Sequence, residues 1–159
     1  MRLAFTIDKD IASYQDLVHD LTPVLGTRFG ESMKNWCGIG HRPYPLPTWQ
    51  VYLVRDGHNH PVGVCSYYQQ EADPAGRFWI GWIGVPTRLR RRGIASAMFT
   101  HVRSEVQQRG ARELRVYTGT AEAESFYIAM GIAPAGRFRE TGLEQAAASG
   151  DEAVLTVQL

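Results

Sequence analysis

"RLRRRGIASAMF", Arg88 to Phe99, sets four arginines within five residues and then passes through Gly93 into an apolar stretch with helical spacing. Positive charge so concentrated at the start of a helix has three readings: a grip on nucleic acid, a solvated surface cluster, or a seat for a small, heavily phosphorylated molecule. The first amides of a helix have no intrahelical partner and lie at the positive end of its dipole, so they favour anions. Glycine lets a phosphate approach the backbone with no Cβ in the way. "RRRGIA" combines both properties just after Val85-Pro86, where proline cannot donate to a sheet and a strand should stop. Locally, a phosphate cradle and a solvated surface cluster both stay open.

Composition narrows the choice. The 159 residues suit one domain, 1–159, long enough to bury a real core. Hydrophobic residues make up 44% and charged residues 21% of the chain, as in ordinary globular proteins. Net charge is only +1, so the arginine cluster is local; a nucleic-acid binder is usually more basic, and no such partner is expected. Cys37 and Cys65 lie far apart without CxxC spacing, and His41, His58 and His60 show no ligand spacing. Neither a disulfide framework nor a metal is therefore expected. "MRLAFTIDKD" has too short an apolar run for a signal peptide and no segment could span a bilayer, which makes the cytoplasm the default location and a membrane an unexpected partner.

Along the chain, Leu3, Phe5 and Ile7 alternate as in a strand. "DIASYQDLVHDL" places Ile11, Tyr14, Leu17, Val18 and Leu21 at helical spacing after Asp10, a candidate cap. A weaker helical patch covers Glu31 to Trp36, and "GIGHRPYPLPT" reads as a loop. "WQVYLVR" and "PVGVCSYYQ" predict an antiparallel hairpin turned by Asp56-Gly57. "RFWIGWIGV" is apolar on both faces, as a central strand should be. A helix follows over Ile94–Arg109 with Gly110 as its end, then the strand "ELRVYT", then the helix "AEAESFYIAMG" closed by Gly131. "APAGRFRE" and "EAVLTVQL" are the last two strand candidates. This order predicts an α/β (α+β) domain with a central mixed sheet.

"VPTRLRRRGIASAMF" resembles the acetyl-CoA signature of the GCN5-related N-acetyltransferase (GNAT) superfamily, Q/R-x-x-G-x-G/A, with Arg90, Gly93 and Ala95 on its three defined positions. "AEAESFYIAMGI" resembles the second signature, A-x-x-x-Y-x-x-x-G, filled by Ala123, Tyr127 and Gly131. The motifs span roughly Ile83 to Ile132, and the order of elements agrees over essentially the whole chain. The resemblance implies a mostly antiparallel sheet flanked by helices and splayed at the acetyl-CoA site. It implies that Ile83, Gly84 and Val85 pair with the pantetheine arm, and that the amides of Arg91, Arg92, Gly93, Ile94 and Ala95 hold the diphosphate. The arginine side chains, Arg90 included, would meet phosphate oxygens. Gly81 and Gly84 suit a bulge or close backbone approach, though flat packing against a helix would use glycine too.

Acetyl transfer to an amine needs a neutral nucleophile, a polarised thioester and a proton for the departing thiolate. The resemblance assigns that proton to Tyr127, whose ordinary pKa near 10 suits a thiolate; spacing alone would favour a packing residue beside Phe126. It also places Thr120 where many members have an asparagine that bonds the pantetheine, a shorter donor in this chain. Many members carry a glutamate on the central strand as base; "RFWIGWIGV" has no acidic residue, which leaves Glu71, Asp73 or Glu31 as substitutes. The resemblance implies that Trp36, Tyr44, Trp49, Tyr67, Tyr68, Trp79 and Trp82 lie in segments bordering the acceptor side; most should be core, as aromatic strand residues usually are, with Tyr44 and Tyr68 the candidates to line a pocket. The resulting expectation is an acetyl-CoA-dependent N-acetyltransferase acting by direct transfer, through a tetrahedral intermediate, on a primary amine of a small molecule, amino acid, peptide or protein. The alternative is a CoA-binding sensor of the same fold without catalysis. A homodimer is left open.

Overall fold

The computed structural model describes residues 2–7, 17, 19–22, 46–137 and 152–159. In chain order these form β1 (Ala4–Ile7), β2 (Thr48–Arg55), β3 (Pro61–Gln69), β4 (Arg77–Gly84), α1 (Ile94–Gln108), β5 (Glu113–Thr118), α2 (Ala121–Ala129), β6 (Ala133–Arg137) and β7 (Ala153–Gln158). Leu17 and Leu21 of the first expected helix are helical and buried. The remaining positions named for it (Asp10, Ile11, Tyr14, Val18), the patch Glu31 to Trp36, and residues 38–45 of the proline-rich loop lie outside the described residues.

The strands make one seven-stranded sheet in the order β1-β2-β3-β4-β5-β7-β6. Every neighbouring pair is antiparallel except β4 and β5, which are parallel because α1 carries the chain back between them. The β2–β3 turn forms where Asp56 was expected to make it: its Oδ1 accepts the His58 and His60 amides at 2.9 and 3.0 Å. His58 and His60 sit exposed at that tip.

Apolar residues divide between the two sheet faces by strand alternation. On one face α1 and α2 cover Tyr52, Cys65, Tyr67, Phe78, Ile80, Leu114, Val116 and Leu155, using Ile94, Met98, Phe99, Val102, Val106 and Tyr127. On the other, Leu17 and Leu21 pack on Val51, Leu53, Val64, Tyr68, Trp79 and Val154. Helix α1 rides so close to β3 that a Cβ on Gly63 would stand 2.9 Å from the Gly84 carbonyl oxygen and 3.1 Å from Met98 Sδ. Only glycine fits there.

A compact ionic cluster ties β4 to β5 where they first meet. Arg77, on β4, donates from Nε to Glu113 Oε2 at 2.7 Å. Arg115 Nε donates to Glu113 Oε1 at 2.6 Å, and the Thr156 hydroxyl adds a bond of 3.0 Å to the same oxygen. Burial opposes the charge on Glu113, but the bonds from Arg77, Arg115 and Thr156 outweigh it and hold the carboxyl below its usual range. A carboxyl with a lowered folded-state pKa adds stability above its unfolded value, and that stability is lost as pH falls through the folded value. Glu113→Gln should therefore lower unfolding stability by about 2 kcal/mol near pH 7. In urea titrations the gap between variant and wild type should persist down to about pH 5 and close at more acid pH, where both side chains are uncharged.

Candidate active site

Strands β4 and β5 pair over three residues, Arg77↔Glu113, Phe78↔Leu114 and Trp79↔Arg115. Beyond that point, among the described residues, β4 continues beside β3 alone and β5 beside β7 alone. The central sheet is thus split from Ile80 to Gly84. A strand edge inside a sheet leaves backbone donors and acceptors that need a partner.

The split coincides with a bulge. Cys65 faces Ile83 and Tyr67 faces Ile80, so Ser66 alone opposes both Gly81 and Trp82. The expected bulge at Gly81 is present. The Trp82 amide donates to Ser66 Oγ at 2.8 Å. Leaving that buried amide unmade would cost about 1–3 kcal/mol. Because successive amides of a strand point to opposite sides, a Trp82 N–H turned toward β3 turns the Ile83 and Val85 N–H groups toward the split. Gly84 turns back, and pairs with Val64. Of the three positions singled out in the sequence, Ile83 and Val85 turn toward the opening, and Gly84 stays with β3.

After β4, Pro86 opens a single turn of 3₁₀ helix at Thr87–Leu89, with the Leu89 amide donating to the Pro86 carbonyl at 2.8 Å. Arg90 is extended, Arg91 takes a left-handed φ of 63°, and Gly93 follows at 78°. A left-handed arginine costs about 1 kcal/mol and marks a backbone shaped for a purpose beyond connection. Space around the Cα of Gly93 is open, with nothing within 4 Å of where a Cβ would stand. The helical ladder begins with the Ala97 amide on the Gly93 carbonyl at 3.0 Å, so the amides of Ile94 and Ala95 precede it.

The two helix starts differ in one respect that matters. At α2, Thr120 Oγ1 accepts the Ala123 amide at 3.2 Å, and Glu122 and Glu124 occupy the first turn. At α1 the N-cap is Gly93, which offers no side-chain acceptor, and the first turn holds no acidic residue. Helix α2 satisfies its own positive end; α1 presents its to the loop. Of the four arginines, Arg88 pairs with Asp20 at 2.9 Å and Arg90 with Glu122 at 3.3 Å across the split. Arg91 and Arg92 are exposed and have no ion pair among the described residues. The cluster is therefore half structural.

Tyr127 is the buried residue of α2, 6% exposed, with the Phe126 ring 5.1 Å away and edge-on. Burial, and then the neighbouring Cys65 thiol, push its phenol above the ordinary value, and no hydrogen bond among the described residues engages it. Cys65 is itself buried and pushed up by burial, hence a neutral thiol. Thr120 keeps its hydroxyl proton to donate while its oxygen caps α2.

The candidate bases fare differently. Asp73 Oδ2 accepts the Gln70 amide at 2.7 Å and the Trp79 indole N–H at 3.0 Å. It staples the β3–β4 turn, at the opposite end of β4 from the arginine loop. Glu71 is exposed in the same turn, and Glu31 lies outside the described residues, as do Trp36 and Tyr44. Tyr68 is buried, stacked on Trp79 at 6.3 Å. Ser66 and Glu122 escaped the sequence reading; a lone serine inside an apolar strand was the available signal for the first. Among the described residues, no cluster of three metal-ligating side chains occurs and no helix is long and apolar enough to cross a membrane.

The same architecture occurs in solved structures. An acetyltransferase of the GNAT family from Staphylococcus aureus aligns with a TM-score of 0.72 at 12% identity, over 99% of both chains. An Elizabethkingia anophelis GNAT acetyltransferase with acetyl-CoA bound gives 0.65 at 16% identity, covering 99% of this chain and 98% of that one. A Bacillus subtilis acetyltransferase in complex with CoA gives 0.67 at 15%, over 99% and 98%. At these identities the likeness is one of fold. No curated protein sequence matches. Residues 13–132, about three quarters of the chain, match the acetyltransferase (GNAT) family, which accounts for a sheet parted at β4 with an uncapped helix at its edge: this protein is a member of the GNAT family.

Proposed function

We propose that the protein is an N-acetyltransferase that takes the acetyl group of acetyl-CoA and passes it directly to a primary amine. The observation that carries this reading is the split after Trp79 and Arg115, with the Ile83 and Val85 amides turned into it. An extended, amide-bearing pantetheine is the kind of molecule that completes such an edge as an added strand. The diphosphate sits on the amides of Arg91 to Ala95, where the helix supplies no acceptor of its own, and Arg91 and Arg92 are available to its oxygens. Bound acetyl-CoA supplies the acetyl group: the amine lone pair forms the C–N bond, the C–S bond breaks, sulfur takes a proton, and the nitrogen gives up one of its own, which restores the donor by way of solvent.

Tyr127 holds that proton. Since its pKa is raised, it stays protonated through neutral and mildly alkaline pH and loses the acid function only above its own value. β4 is free of carboxylates and Asp73 is engaged in its turn, so an acceptor that arrives neutral suits this strand best. An α-amino group near pKa 7.7–8 does so far more readily than a lysine-type amine near 10.4, which is neutral in roughly one molecule in 10³ at pH 7. The same missing base favours the second reading, a CoA sensor. Steady turnover of any amine in a broad panel decides between them.

Gly93→Asp meets no atom within 4 Å but puts a side chain at a left-handed φ of 78°, at a cost of about 1 kcal/mol; a folded variant, checked by circular dichroism, should lose acetyl-CoA binding in calorimetry because its carboxylate enters the diphosphate seat, and undiminished affinity would refute the seat. Tyr127→Phe keeps the ring packing and should bind acetyl-CoA as wild type does, while turnover drops on the order of 10²-fold. Glu122→Gln releases Arg90 and removes a negative charge beside the phosphates, so acetyl-CoA affinity should rise about two- to fourfold at low salt and less at high salt.

A further inference from the structure

The bulge in β4 is held by a side chain that the transfer chemistry never touches. Ser66 is fully buried, at 0% exposure, between Cys65 and Tyr67 on β3. Its hydroxyl takes the Trp82 amide at the one point where β4 carries an extra residue. The inserted residue sets Gly81 and Trp82 against the same residue of β3, and alanine or valine at 66 would remove the hydroxyl that holds the Trp82 amide in this register. A one-residue slip then becomes the way to pair it. A slip inverts every later amide of β4, turning Ile83 N–H toward β3 and away from the split.

We infer that Ser66 is a positioning residue: its hydroxyl locks the β4 bulge and thereby keeps the Ile83 N–H aimed into the β4–β5 opening, where it meets the thioester carbonyl. The second half of this statement rests on the acetyl-CoA reading above. The first half does not. A donor fixed before the reaction favours the developing oxyanion, so its loss lowers turnover more than binding.

The experiment uses the full chain with Ser66→Ala and Ser66→Thr, amide exchange by NMR without ligand, and kinetics with an amine from the screen. In the wild type, the Trp82 amide should exchange as slowly as the ladder amides of Tyr67 and Tyr68. Fast exchange there overturns the lock, whether or not either variant folds. Ser66→Ala should speed Trp82 exchange by tenfold or more, shift the Ile83 amide resonance, and lower kcat at least tenfold with KM for acetyl-CoA changed less than about threefold. Ser66→Thr, which keeps the hydroxyl, should restore exchange and kcat together. A Ser66→Ala protein with unaltered Trp82 exchange, or with kcat and KM both unaltered, overturns the inference. If the wild type fails to bind acetyl-CoA, the donor reading falls by itself, and the exchange arm still decides what Ser66 holds.

Discussion

The structure depends on the parting of two parallel strands. Strands β4 and β5 keep company for three residues and are clamped there by Glu113, held between Arg77 and Arg115. Past the clamp, among the described residues, each strand is held from its far side alone, β4 by β3 and β5 by β7. Backbone groups that any other central strand would spend on its neighbour are left facing a gap. That gap makes a site out of a sheet, and the extra residue at Gly81 and Trp82 sets which amides line it.

Electrostatics then orients what enters. The arginine loop does not act through sheer charge, since Arg88 and Arg90 are already matched by Asp20 and Glu122. Its effect comes from backbone shape: a left-handed Arg91, a left-handed Gly93, and a helix whose first turn has no carboxylate to neutralise it. Helix α2 shows the contrast, capped by Thr120 and bearing two glutamates. One helix start satisfies its own positive end and the other has no side-chain acceptor or carboxylate to do so. On α2, Tyr127 is buried deeply enough to stay protonated, beside a thiol that burial keeps neutral as well.

Much of this was legible in the chain. Periodicity identified all the described strands and both complete helices, with α1 ending at Gln108 ahead of Gly110 and β5 running from Glu113 to Thr118 as read. Glycine, proline and the Asp56 turn punctuated them through local rules that need no tertiary partner. The signatures around Gly93 and Tyr127 named the family because close phosphate approach and a fixed tyrosine demand particular residues at particular spacings. Asp73 was harder. A carboxylate in a loop looks solvated from sequence, yet this one accepts an indole N–H from Trp79, six residues away.

By itself, then, the sequence determined the described elements, their order and the glycine-bearing shape of the arginine loop, all of which follow from contacts within a few residues. The tertiary structure alone decided how far β4 stays with β5, that Ser66 receives the Trp82 amide, and that Glu122 reaches Arg90 across the opening. Those pairings join residues 16 to 36 positions apart. Their partners are chosen by strand register and by the close seating of α1 over Gly63, and neither is written in the spacing of any one segment.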